Sequence, residues 1–169
     1  MKIYTEDRLV PYKTTKIPPL TTKAEIDGLL ARWGIRKTMW DWNPEMNVVT
    51  LVFELPQEYS NPSGTAVKIE PPRIWTKGHR NRKEEINWQV SMRVLFWYLK
   101  SSLENAYLMQ FDKTTAFLPH IMSSTGQLLK DIVIPRLSQV SELESLPSPT
   151  EERKQLDKII SVSKEEQQG

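Results

Sequence analysis

The chain has 169 residues, of which 38% are hydrophobic and 26% charged, and a formal net charge of +2. This length and composition favour one globular domain with a buried core. The absence of cysteine excludes disulfides, thiol nucleophiles and cysteine-ligated metals. No apolar run approaches the roughly 20 residues of a membrane span, and no apolar signal region opens the chain, so a cytoplasmic protein with no membrane partner is expected.

The first twenty residues are predicted to be extended, because they contain three prolines. A helix follows, with Thr22 as its N-cap and Glu25 completing a capping box. Gly34 is expected to end this helix. Its core-facing residues are Ile26, Leu29, Leu30 and Trp33.

Three strands are predicted next, over residues 36–42, 48–55 and 66–70. The second has the clearest alternation of apolar side chains. Trp40 and Trp42 share one face of the first strand. The order of one helix, three strands and a long helix predicts an antiparallel meander with helices packed on one face, which is an α+β fold.

The long helix is predicted over residues 81–110, because apolar residues recur at steps of three or four. That stripe consists of Trp88, Met92, Leu95, Leu99, Leu103 and Ala106. A helix over residues 112–122 should follow, with Ala116, Phe117, Leu118 and Ile121 inward and a kink or early end at Pro119. A turn at residues 123–126 and a helical or irregular segment at 128–137 complete the predicted domain. One or two helices are therefore expected after the long helix.

The last segment, residues 138–169, contains seven acidic and four basic side chains, which leaves the body of residues 1–137 mildly basic. We expect an α+β domain over residues 1–137, followed by an acidic, flexible tail with a short helix at about 148–162. A basic body with an acidic tail is found in proteins that handle nucleic acid.

The strongest functional signal is a basic loop at residues 71–83, which contains no acidic residue. Lysine and arginine neutralise phosphates, and aromatic rings stack on unpaired bases. Cations at the start of the long helix would also oppose its dipole unless an anion lay close. The predicted nucleic-acid-binding residues are Arg73, Trp75, Lys77, Arg80, Arg82 and Lys83. The alternative is a solvated loop with no binding function, whose charge is offset by Glu84 and Glu85.

Secondary candidates lie on the first strand and the long helix: Trp40, Trp42, Arg93 and Lys100. The two tryptophans could form a platform for bases or for a protein partner. Alternatively, Lys100 forms an ordinary helical salt bridge with Glu104.

Catalytic and metal motifs are not found. The two histidines, His79 and His120, have no short-spaced partner. Asp41, Glu45 and Glu54 have no spacing that forces them into one pocket, as acid–base catalysis needs. No glycine-rich phosphate loop is present. The sequence therefore predicts a protein that is not an enzyme and has no catalytic residue, metal or cofactor. A deep pocket lined by Asp41, Glu54 and Arg93 would instead indicate an enzyme of unrecognised type.

The order of segments over residues 10–137 resembles that of a family of small, functionally uncharacterised proteins of tailed bacteriophages and prophages. The residues that carry this resemblance are Val10-Pro11, Ala24-Glu25-Ile26, Arg32-Trp33-Gly34, Arg93, Leu95, Leu99-Lys100, Leu103-Glu104, Phe111, Phe117-Leu118, His120-Ile121, Gly126 and Pro135. Family members often have an arginine-tryptophan-arginine run in the long helix, where this chain retains only Arg93. The resemblance implies a phage or mobile-element origin, with the host cytoplasm as location, and carries over no activity.

These observations favour a non-enzymatic accessory protein that binds nucleic acid, preferably single-stranded, during replication or recombination. The alternative is a protein-interaction or assembly subunit, which binds a phage protein, a host protein or a second copy of itself. Neutralising Arg73, Lys77, Arg80 and Arg82 together should weaken nucleic-acid binding and its salt dependence.

Overall fold

A computed structural model of the chain describes residues 2–43, 46–56, 64–78 and 83–137. The chain divides into two compact units, residues 1–132 and 133–169. Of the second unit, only residues 133–137 are described. The predicted acidic tail and its short helix lie outside the described residues.

The fold is α+β, as the sequence predicts. Its elements in chain order are β1 (Ile3–Tyr4), α1 (Pro19–Arg32), β2 (Thr38–Asn43), β3 (Val48–Leu55), β4 (Thr65–Ile69), β5 (Ile74–Thr76), β6 (Glu85–Ile86), α2 (Trp88–Leu108), α3 (Lys113–Ala116), a 3-10 turn (Leu118–His120) and α4 (Leu129–Leu137).

The main sheet has the strand order β2-β3-β4 and is antiparallel throughout, which confirms the predicted meander. Alternate residues of β3 point to opposite faces, so Leu51, Phe53 and Leu55 are all buried on the core side. Beyond β4, Ile121 forms a bridge with Val67 and covers that edge.

The core lies between this sheet and the helices α1 and α2. The predicted stripe of α2 is confirmed: Met92, Leu95, Leu99, Leu103 and Ala106 are buried, and Trp88 packs partly buried against the same cluster. The predicted face of α1 is also confirmed, with Ile26, Leu29 and Leu30 buried and Trp33 packed at the margin.

The predicted start of α1 is wrong. The helix begins at Pro19, because proline at the first helical position already has a helical φ and needs no hydrogen-bond acceptor. Thr22 therefore lies inside the helix and is fully buried, and its hydroxyl has no hydrogen-bond partner among the described residues. Glu25 completes no capping box and forms an ion pair with Arg93. Gly34 does follow the helix end, with a φ of +82°.

The predicted start of α2 is also wrong, by seven residues. Asn87 is the N-cap, and its side chain accepts a hydrogen bond of 3.2 Å from the Val90 N–H. Residues 85–86 form β6, which pairs antiparallel with β5. Since β5 also pairs in parallel with β1, a second three-stranded sheet stands where the sequence predicts extended chain and a basic loop.

The predicted helix over residues 112–122 is broken. Asp112 caps the short helix α3, and the 3-10 turn containing Pro119 follows, so the early end expected at this proline is found. Phe117 is buried against Phe53, with ring centroids 5.4 Å apart. Leu118, predicted to point inward, is exposed because the chain leaves the helical path at Phe117.

Candidate functional site

The strand β5 positions the predicted basic segment. Ile74 is buried against Val10 and Val90, and its N–H donates to the buried Ser91 hydroxyl at 3.3 Å. Because neighbouring side chains on a strand point to opposite faces, Trp75 is directed outward. Residues 74–76 therefore form a docked strand within the segment that was predicted to be a free loop.

Two lysines cover the aromatic rings on the outer face of the small sheet. Trp75 is the register partner of Tyr4 on β1. Lys2 Nζ lies 4.5 Å from the Trp75 ring centroid, and Lys77 Nζ lies 5.4 Å from that of Tyr4. A base could stack on this face of Trp75 only by displacing Lys2.

Glu84 is the acidic residue of this face. Its carboxylate accepts hydrogen bonds from Lys2 Nζ at 2.7 Å and from the Tyr4 hydroxyl at 3.0 Å. These bonds lower the pKa of Glu84 and raise the pKa of both Lys2 and Tyr4. Glu84 thus neutralises the charge of Lys2, a residue distant in sequence. Lys77 and Lys83 have no ion pair among the described residues.

A groove of about 650 Å³ lies between β5, β6 and the first turn of α2. Its polar and aromatic lining consists of Thr76, Lys77, Lys83, Glu85, Asn87, Trp88 and Gln89. The structure therefore brings together two of the predicted binding residues, Lys77 and Lys83, in one groove with the aromatic ring of Trp88. Sequence reasoning missed Trp88 as a site residue, because it was assigned to the core stripe.

Trp42 extends this groove toward the main sheet. The centroid of the Trp42 ring is 5.5 Å from that of Trp88, and Trp42 is 42% exposed. Trp40 differs, because its indole N–H donates to Asp27 at 2.8 Å and its ring packs against the core. Of the two predicted platform residues, Trp42 is the one that adjoins the groove and offers an exposed ring.

Arg93 and Lys100 do not line the groove. Arg93 forms an ion pair with Glu25, and its guanidinium lies 4.6 Å from the Phe96 ring. Lys100 forms the helical salt bridge with Glu104, at 3.4 Å. Both side chains are therefore engaged in contacts within and between the helices.

Among the other predicted residues that the structure describes, Arg73 and Trp75 do not line the groove. Arg73 is exposed just before β5 and is not part of its lining. Arg80 and Arg82 lie outside the described residues. Because α2 starts at Trp88, Lys83 does not lie in its first turn, and the argument that the helix dipole requires an anion beside Lys83 is wrong.

The described residues hold no group of three or more histidine or acidic side chains that could bind a metal ion. Among the helices described, none is both long enough and apolar enough to cross a bilayer. Comparison with protein-family models, curated proteins and solved structures gives no match to this chain. The function proposed below therefore depends on the geometry and chemistry of the groove.

Proposed function

We propose that this protein is a non-enzymatic, nucleic-acid-binding accessory protein of a phage or mobile element, acting on single strands in replication or recombination. The observation that carries this proposal is the groove lined by Lys77, Lys83 and Trp88, with the exposed ring of Trp42 beside it. The phage or mobile-element origin rests on the resemblance in the order of segments alone.

The chemistry of the groove suits a single strand. Each lysine can neutralise one phosphate and release a counterion. An indole ring stacks on any base that is not already stacked in a duplex, and such stacking contributes roughly 1–3 kcal/mol per base. A duplex would present phosphates to the lysines and leave Trp42 without a stacking partner.

The test is a fluorescence-anisotropy titration with labelled single-stranded and double-stranded oligonucleotides at two salt concentrations. The variant Lys77→Gln/Lys83→Gln should bind more weakly, and its salt slope should be smaller by about 1.4, since each phosphate contact on a single strand contributes about 0.7. Lys13→Gln/Lys37→Gln is the matched control, because it removes the same charge from residues that do not line the groove.

Equal losses in both variants would mean that only net charge matters. Unchanged affinity in the groove variant, or no binding by the wild-type protein at low salt, would refute the nucleic-acid proposal.

The alternative is a protein-interaction or assembly subunit. The observation that favours it is the apolar end of α2, where Tyr107, Leu108 and Met109 are 72%, 72% and 73% exposed. Consecutive exposed apolar side chains are typical of interaction sites. Light scattering without nucleic acid tests the self-associating form of this alternative, which requires a mass that rises with protein concentration.

A further inference from the structure

The strand β2 lies at the edge of the main sheet, and β3 is its neighbour. The Glu54 N–H donates to the Lys37 carbonyl at 3.1 Å, and these residues continue the β2–β3 register. They are therefore a hydrogen-bonded pair. Because such pairs alternate along an antiparallel ladder, Thr38, Trp40 and Trp42 direct their backbone N–H and C=O groups away from β3.

This outer edge has no strand partner within the described parts of the chain. Proteins protect exposed edges with lysine, proline, bulges or covering segments. The six residues of β2 include one charged side chain, Asp41, but no lysine or proline, and the register with β3 runs without a bulge. Met39 is 60% exposed and Trp42 is 42% exposed, so apolar side chains accompany the open backbone groups.

We infer that β2 pairs with β2 of a second copy of this chain, which joins the two three-stranded sheets into one continuous antiparallel sheet. This inference rests on the assembly alternative, whose partner it names, and does not depend on nucleic-acid binding. The net charge of +2 gives little repulsion between two copies.

One register keeps every outward-facing residue of β2 paired within the strand. An antiparallel pair centred on Trp40 places Trp40 opposite its own copy and Thr38 opposite Trp42, so every outward backbone group of β2 finds a partner. Asp41 then stands opposite Met39 of the other copy. A shift of two residues in one direction puts Asp41 opposite Asp41 of the other copy, and the two like charges would repel each other. The same shift in the other direction leaves Trp42 opposite Arg36, outside the strand.

Cysteine crosslinking tests this register, because the chain has no cysteine of its own. Met39→Cys and Asp41→Cys chains, distinguished by a tag, are mixed in equal amounts and oxidised. The opposed pair has its Cα atoms about 4.5 Å apart, which suits a disulfide. Two copies of the same variant place their thiols on a diagonal of about 7–8 Å, which does not. The mixed dimer should therefore exceed its random share of one half.

Backbone pairing is tested separately by light scattering over a range of concentrations. Thr38→Pro removes an outward N–H at the first position of an edge strand, where proline is tolerated, and should shift dimer formation to higher concentration. Thr38→Val keeps that N–H and should behave as the wild type. Circular dichroism verifies that the proline variant is folded, and the crosslinking result stands independently of it.

Each other outcome would overturn the inference. A random distribution of crosslinks in a protein that does dimerise would leave the assembly alternative standing and reject β2 as the interface. Loss of the dimer in Leu108→Lys, with Thr38→Pro unaffected, would assign the interface to the end of α2. A wild-type mass of 19.7 kDa at every concentration would reject both the inference and self-association.

Discussion

Arg93, a predicted binding residue, is expected to stabilise the fold and not to contact the ligand. Its side chain is 16% exposed, forms an ion pair with Glu25 across α1 and α2, and lies against Phe96. The Glu25 side chain is 39% exposed, so water screens the pair and limits its contribution to about 1 kcal/mol. The cation–π contact adds about 0.5–1 kcal/mol. Arg93→Met, which keeps an apolar stem, should therefore lower the free energy of unfolding by about 1–2 kcal/mol.

Urea denaturation measures this loss, and a double-mutant cycle with Glu25→Gln should give a coupling of about 1 kcal/mol. Affinity for a single-stranded oligonucleotide should not change. Lys100→Met is the control, because it also removes a cation–π contact, with Trp97 at 4.8 Å, but only a helical salt bridge that contributes about 0.3–0.5 kcal/mol. An Arg93→Met protein with unchanged stability and weakened binding would show that this arginine contacts the ligand and that the scaffold argument is mistaken.

Three further predictions concern other residues. Thr22→Val should raise the free energy of unfolding by about 1 kcal/mol in urea denaturation, because it removes a buried hydroxyl without a partner; an N-cap role would instead give a loss of about 1 kcal/mol. Burial, and then Lys130, hold the pKa of His120 below its ordinary value of 6.5. The stability that neutral His120 contributes should be complete above pH 6.5 and lost as the pH falls through the lowered pKa, so His120→Gln should flatten the stability profile below pH 6.5. Trp42→Ala should weaken single-strand binding by roughly 1–3 kcal/mol in the anisotropy titration, whereas equal affinity would remove this ring from the site.

The parts of the fold that sequence predicts well are those with a strong repeating pattern. The bounds of β3 agree with the prediction, because uninterrupted alternation over residues 48–55 leaves one register for the core. The stripe of α2 is correct for the same reason. The small sheet could not be found in this way, since β1, β5 and β6 have two or three residues each and show no periodicity. Their pairing depends on contacts such as that between Ile3 and Ile74, which are distant in sequence.

The candidate site was predicted in part, for a related reason. Counting charge along residues 71–83 selected Lys77 and Lys83, which the β5–β6 pairing brings to one groove. The count could not show that Lys2 would cover the Trp75 ring, because that lysine comes from the start of the chain. Local composition thus identified the cations of the groove, while the fold determines which aromatic ring remains open beside them.

Trp42 connects the two surfaces proposed for this protein. Its ring adjoins Trp88 and the groove, while its backbone belongs to the outer edge of β2. Stacking on a base uses the ring, and strand pairing uses the N–H and C=O groups, so one residue can serve both without competition. In a dimer centred on Trp40, each Trp42 would lie two residues from the twofold axis, and each copy would present its groove beside its own Trp42. A single strand long enough to reach both would then bind with a high effective concentration at the second groove. Self-association and nucleic-acid binding are therefore compatible properties of this fold, and the first would strengthen the second.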